Sequence, residues 1–223
     1  MKPKLSPRQK QILYYLAKEQ VESFEPVASI QIKEKYNLDF SPATIRHELF
    51  ELCQMAYLEQ PHTSSGRILS DIGWEILVTD FLDNMLAYSD EFDLPNDYND
   101  FADQLSQQTQ ALSIVFDWQN NKLYKKGISF LLNDKIVNNI NDLNAIANII
   151  DLIDDKLDVL RATLFNKEIN VYIGQNNPLF KNQHLAFIGT KSNKDKLLIG
   201  IIVPKATDYE EHFKLFNQLI NSL

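Results

Sequence analysis

The chain has 223 residues, 22 Lys and Arg, 30 Asp and Glu, and 44% hydrophobic content. That apolar share excludes wholesale disorder, and the length suits one large or two ordinary domains. A net charge of −8 excludes a protein that coats nucleic acid through bulk charge, and a single Cys excludes an internal disulfide or a multi-cysteine zinc site.

The charge is uneven. Residues 1–70 carry nine basic and eight acidic residues, and the remainder 13 basic and 22 acidic. The sign change points to two parts with different partners, of which only the first tolerates a polyanion. The longest apolar run, about Leu197–Val203, is far shorter than the ~20 residues of a membrane helix. The first residues hold no apolar signal core, so the expectation is a cytoplasmic protein with no membrane partner.

Ser6-Pro7-Arg8-Gln9 reads as a helix start: a capping Ser, Pro at the first helical position, and Gln to complete a capping box. Ile12, Leu13, Leu16, Ala17, Gln20 and Val21 follow at helical spacing, and Pro26 ends the element. Ser29 is expected to cap a short helix over Ile30–Tyr36, and Asn37–Phe40 to turn. Ser41-Pro42 opens a third helix. Its apolar side is read as Ala43, Ile45, Leu49, Leu52, Cys53 and Ala56, its polar side as Thr44, His47, Glu48 and Glu51.

Tyr57–Gln60, the Pro- and Gly-bearing stretch Pro61–Gly66, and Arg67–Leu69 read as strand, loop and strand. Ser70-Asp71 then begins a helix through Trp74, Leu77, Val78, Phe81, Leu82 and Met85. Three helices, a strand, a loop, a strand and a helix make a winged helix-turn-helix, here over residues 1–89. Residues 90–100, acidic and containing Pro95, read as a linker.

The remaining segment, 101–223, reads as α+β. The expected elements are a helix about Tyr98–Leu112, a strand over Ser113–Trp118, a turn at Gln119–Lys122, and a short helical segment Ile128–Leu132. One long amphipathic helix spans Asn141–Leu164. Strands are expected at Ile169–Gly174, Leu185–Thr190 and Leu197–Val203, the last apolar throughout and so central. Thr207–Glu210 reads as a capping box before a helix with Tyr209, Phe213, Phe216, Ile220 and Leu223 on one stripe.

In a winged helix the helix after the turn enters the major groove, with its N-terminal residues nearest the base edges. The groove-facing candidates are therefore Ser41, Thr44, Arg46 and His47, and the wing candidates His62, Thr63, Ser64 and Arg67. Arg46 suits guanine or a phosphate, and Thr44 a phosphate or a thymine methyl. Gly66 would let the wing turn tightly. Arg8, Lys10, Lys33 and Lys35 are candidate phosphate neighbours. Winged helices also mediate protein contacts, so a ligand-sensing or protein-interaction module that leaves DNA alone stays open as the alternative.

Other chemistry finds little support. The four His are scattered, and Cys53 falls on an apolar helix side as a structural thiol. Asp151, Asp154, Asp155 and Asp158 share a helix face and read as solvated. Trp118, Phe116 and Phe187 suit a ligand pocket or, better, a core. No catalytic residue, metal site or cofactor is expected, and the chain is not read as an enzyme.

Several strings resemble one family. Glu25–Ser29, Lys35–Leu38, Ser41–Arg46 and above all Leu58–Ile68, with its Gln-Pro-His-Thr-Ser-Ser-Gly-Arg, resemble HrcA, the heat-inducible transcription repressor. Gly127–Leu132, Val171–Gly174 with Asn177-Pro178, and Gly200–Pro204 with Asp208-Tyr209 resemble its GAF-like domain. The resemblance implies a repressor of chaperone genes that binds double-stranded DNA at an inverted-repeat operator as a homodimer. It also implies dependence on the GroEL chaperonin, and heat shock as the relieving stress response. Against typical members the chain is short. The loss lies between Val115 and Tyr124, where the family carries the first part of the GAF-like domain and an inserted dimerisation domain. The GAF-like domain is expected to be reduced. His47 stands where members usually have Asn. The surfaces left for a dimer are the helix Trp74–Met85, with Leu77, Phe81 and Met85 on one stripe, and Asn141–Leu164.

Overall fold

The computed structural model describes residues 5–62, 66–85, 97–132, 137, 139–192 and 196–222. The chain divides into two compact units, Met1–Asn84 and Met85–Leu223.

In the first unit, Ser6 starts α1 (Pro7–Ser23) through the expected capping box: its Oγ accepts the Gln9 N–H, and Gln9 Oε1 accepts the Ser6 N–H. The helix stops before Pro26. Phe24 turns left-handed at φ 61°, and its N–H donates to the Gln20 carbonyl. The second helix, α2 (Ser29–Lys35), begins one residue earlier than expected. Ala28 is its cap position, and the Ala28 N–H donates to Gln31 Oε1 instead of a Ser hydroxyl accepting. Ser41 caps α3 (Pro42–Gln54) as expected, its Oγ accepting the Thr44 N–H.

β1 (Leu58–Glu59) and β2 (Ile68–Leu69) pair antiparallel to form the wing. Gly66 serves this wing by close approach, since a Cβ there would lie 2.4 Å from the Val27 carbonyl. Its role is contact, not the special φ that a tight turn suggested. Ser70 Oγ accepts the Gly73 N–H and opens α4 (Asp71–Asn84). Ile12, Leu13, Leu16, Ile32, Ile45, Leu49, Leu52, Trp74, Leu77 and Val78 are buried. The α4 stripe is thus turned largely inward, and Phe81 packs edge-on against Tyr14.

The second unit is a five-stranded, wholly antiparallel sheet of order β4-β3-β7-β6-β5. Its strands are β3 (Leu112–Asp117), β4 (Lys122–Lys126), β5 (Asn170–Ile173), β6 (Leu185–Lys191) and β7 (Leu197–Pro204). The all-apolar β7 is central, as its composition demands. Leu112, Ile114, Phe116, Leu185, Phe187, Leu198 and Ile202 share one core with Ile146, Ile149, Ile153 and Leu160. Those last four lie on α6 (Ile140–Asp155) and α7 (Leu157–Thr163). On the other side α5 (Tyr98–Thr109) packs on β3 and β4, and α8 (Tyr209–Ser222) touches β6. The Ser113 hydroxyl donates to the Ala102 carbonyl at 2.6 Å. This is the helix-sheet-helix layering of an α+β domain.

Several details depart from expectation. The single helix over 141–164 is broken at Lys156, whose N–H bonds Ile153 in a tightened turn before α7 restarts. β4 went unexpected because Lys-Leu-Tyr-Lys-Lys is an edge strand with little to bury. Asp97 caps α5, which starts at Tyr98 as read but ends at Thr109, three residues short of the expected Leu112. Asp208, not Thr207, caps α8, accepting the Glu211 N–H at 3.2 Å. Its buried stripe runs Tyr209, Phe213, Phe216, Leu219; Ile220 is half-buried and Leu223 lies outside the described residues. His212 is also buried, 2.9 Å from Thr207 Oγ1; burial holds its ring down to about 4, against the pull of Asp208 and Glu211.

Candidate nucleic-acid interface

The sequence of α3 alternates between anchors and solvent. Ile45, Glu48, Leu49 and Leu52 are buried, while Ser41, Ala43, Arg46, His47 and Phe50 are exposed. The exposed set follows the i, i+3, i+4, i+7 spacing of one helix face. Ala43 is therefore on the outer face, not the apolar side. Ser41 Oγ lies 2.9 Å from Thr44 Oγ1, and Thr44 is half-buried. Arg46 is exposed and makes no hydrogen bond or ion pair among the described residues. His47 Nε2 lies 3.2 Å from Glu51 Oε1. Phe50 is 57% exposed on the same face.

The other basic residues of the unit behave differently from expectation. Arg8 donates to Glu48 Oε1 at 3.1 Å and stacks over the Phe40 ring at 4.9 Å. Lys10 pairs with Asp80. Lys33 Nζ donates to the carbonyls of Phe40, at 2.8 Å, and Leu38. Lys35 bridges Glu19 and Glu22, whose hydrogen bonds raise its pKa. Tyr36, stacked on Tyr15, also bonds Glu19; burial first and that bond second raise its phenol. Four candidate phosphate neighbours are thus anchored inside the unit. Glu48, read as polar surface, is a buried partner for Arg8, from a residue 40 positions away. An open groove of about 630 Å³ runs between the start of α1 and α3, lined by Arg8, Gln9, Phe40, Glu48 and Glu51.

On the wing, His62 is exposed. Thr63 and Ser64 lie outside the described residues. Arg67 is half-buried, and its backbone exchanges two hydrogen bonds with Val27, at 2.8 and 2.9 Å. It therefore ties the wing to the segment before α2 and is not a side chain standing clear in solvent.

The second unit offers no rival site in the expected aromatic trio. Phe116 and Phe187 are buried in the core, and Trp118 packs edge-on against Phe116 at 5.1 Å. Phe187 lies across two glycines of its own face: a Cβ on Gly189 or Gly200 would sit 2.5–2.6 Å from its ring. Asp154, expected in a solvated acidic face, pairs with Lys125 at 2.6 Å. Cys53 is half-buried, not fully buried. Among the described residues no cluster of three His, Cys, Asp or Glu is arranged to hold a metal, and no helix is long and apolar enough to cross a membrane.

The sequence matches the family described as HrcA protein C terminal domain over residues 65–212. The chain belongs to the HrcA family. The match runs from the wing through α4 and the whole sheet into α8. The heat-inducible transcription repressor HrcA of Thermoanaerobacter sp. (strain X514) is 46% identical over 82 residues, 37% of this chain and 24% of that protein. The protein of the same name from Synechococcus sp. (strain JA-3-3Ab) is 42% identical over 97 residues, 44% of this chain and 24% of its own length. The chain thus spans about a quarter of these HrcA relatives in the aligned stretches. A crystal structure described as a hypothetical protein shares the fold, with a TM-score of 0.81 at 19% identity, over 97% of this chain and 96% of that one.

Where the HrcA resemblance implied an inserted domain, between Val115 and Tyr124, β3 and β4 meet in a hairpin turn. Asp117 closes it: Oδ1 accepts the N–H groups of Gln119 and Asn120, and Oδ2 accepts the Asn120 side chain at 2.6 Å. Burial pushes the Asp117 carboxyl up, but these donors outweigh it and hold the pKa below the ordinary value. The connection is built for its sequence, with Asn121 taking the left-handed conformation at φ 51°.

Proposed function

We propose that the chain is a sequence-specific, DNA-binding transcriptional repressor that uses α3 as its recognition helix and β1–β2 as its wing. The observation that carries this reading is the outer face of α3, where Arg46 and His47 stand exposed within the first two turns. Those turns are the part of a recognition helix that meets base edges. Arg46 has the fork geometry for guanine O6 and N7 and makes no competing bond among the described residues. The names of the relatives, heat-inducible transcription repressors, support the same reading.

In this reading the operator is an inverted repeat upstream of chaperone genes, bound by a two-fold dimer, and the chaperonin assists the active fold. Ser41, Thr44, Arg46 and His47 meet DNA from α3, and His62, Thr63 and Ser64 from the wing. Arg67 sets the wing's position. The test is a titration of the purified chain on the region upstream of its host's chaperonin genes and on a scrambled duplex, across a salt series. Preference for the upstream duplex with a steep salt dependence is expected. Equal affinity for both duplexes would overturn the reading.

A further inference from the structure

Gln9 links two parts of the first unit. Its Oε1 accepts the Ser6 N–H at 3.0 Å, and its Nε2 donates to Glu51 Oε2 at 3.0 Å. The second Glu51 oxygen, Oε1, lies 3.2 Å from His47 Nε2. A relay thus runs from the cap of α1, across 42 residues of sequence, to the exposed face of α3. Both Glu51 oxygens are engaged, one on each side.

We propose that Gln9 and Glu51 are positioning residues for His47, and that His47 so held selects a base with an exocyclic amino group, adenine or cytosine, in the major groove. The inference rests on the DNA-binding reading. A carboxylate only accepts, so the imidazole nitrogen facing Glu51 carries the proton. In the neutral form of such a ring Nδ1 is the remaining acceptor. Adenine N6 and cytosine N4 are the major-groove donors; guanine N7 and O6 and thymine O4 are acceptors and repel the same lone pair. An exposed ring held only by its own torsions would sample orientations that blur this choice. The carboxylate at i+4 narrows them, and Gln9 stops Glu51 from rotating away.

The experiment selects binding sites from a random duplex pool at about pH 8, then titrates the winners and single-base changes. Wild type, His47→Ala, Glu51→Ala, Glu51→Gln and Gln9→Ala are compared. Wild type is expected to favour adenine or cytosine at one position of each half-site. His47→Ala and Glu51→Ala should each lower that preference about fivefold, with other positions unchanged. Affinity of Glu51→Ala for unrelated duplex should hold or rise, because a negative charge leaves the phosphates' neighbourhood. Glu51→Gln should keep part of the preference, since its amide oxygen still accepts from Nε2 while its amide nitrogen meets the Gln9 donor, and Gln9→Ala should likewise fall between wild type and Glu51→Ala. An unchanged preference in Glu51→Ala overturns the relay. So does a uniform loss at every position with a lowered melting temperature, which marks a merely structural residue. A wild type that enriches no sequence overturns the DNA-binding reading itself, and the relay with it.

Discussion

Arg8→Ala separates a phosphate contact from an internal anchor. The guanidinium sits 3.1 Å from Glu48 Oε1, and the Glu48 side chain is only 10% exposed while that of Arg8 is 46% exposed. The charged hydrogen bond, discounted for that exposure, is worth about 1 kcal/mol, and the stack on Phe40 about 0.5–1 kcal/mol more. Removing Arg8 also leaves a nearly buried carboxylate beside Glu51 in the same groove. A loss of about 1.5–2 kcal/mol follows, or roughly 6–16 °C in a unit of this size. Trp74 is buried in the first unit, and Trp118 is the other tryptophan. In a Trp118→Phe background, fluorescence then reports the first unit alone. In a Glu48→Gln background the Arg8→Ala penalty should shrink by about 1 kcal/mol. The salt slope of DNA binding should not move. Melting unchanged, with a slope lower by about 0.9, would refute the reasoning and return Arg8 to the phosphates.

Arg46→Ala should weaken binding to a selected duplex by about 1–3 kcal/mol and leave melting unchanged; an equal loss on scrambled duplex would make it a phosphate contact. Gly200→Ala should destabilise the second unit by about 1–3 kcal/mol, because the new Cβ meets the Phe187 ring at 2.6 Å; Phe187→Leu should relieve part of that cost, as a double-mutant cycle of chemical denaturation would show. His212 gives an acid-sensitive term. Its folded pKa, about 4, lies below the ordinary 6.5, so the unfolded chain binds a proton that the folded chain refuses between those values. Stability present above pH 6.5 is therefore lost as pH falls toward 4, by about 3 kcal/mol, and His212→Gln should flatten that part of the stability–pH curve.

Local chemistry was legible in the sequence wherever one residue settles one terminus. Ser6, Ser41 and Ser70 open helices as read, and the unbroken apolar run of β7 marks the centre of the sheet. Errors arose where two residues competed for one role. Asp208 stands beside Thr207 and is the stronger cap, whereas Ala28 takes the cap position beside Ser29 with Gln31 bonding back to its N–H. Lys156 broke a periodicity that the pattern carried straight through. Least legible were the basic residues. A Lys or Arg on an amphipathic helix looks free until its partner is known, and Glu48 and Asp80 lie 40 and 70 residues from theirs. Pairing at that separation leaves no periodic trace. The Gln9–Glu51–His47 relay escaped for the same reason, though the His47 and Glu51 spacing of four was in plain sight.

The pairing of those cations bears on assembly. With Arg8, Lys10 and Lys35 in ion pairs, few open positive charges remain among the described residues of the first unit. On the proposed reading, affinity then comes from two recognition helices acting together, about one DNA turn or ~34 Å apart on an inverted repeat. That reading calls for a two-fold dimer, and the hairpin at residues 118–121 stands where the resemblance implied an inserted dimerisation domain. The α4 stripe is largely buried within its own unit, so it supplies little. On α6, Ile140 is 66% exposed, and Leu143 and Leu152 are exposed too, which makes this helix the better surface. So few apolar side chains bury a small area, and the expected dimer is weak, about micromolar or weaker, and strengthened by duplex that holds both half-sites. Sedimentation across a concentration series, with and without such a duplex, measures it. Leu143→Asp should shift the free protein to monomer and reduce affinity for the full repeat far more than for a half-site. A strict monomer that binds the full repeat one-to-one, with the affinity of a half-site, would refute the dimer.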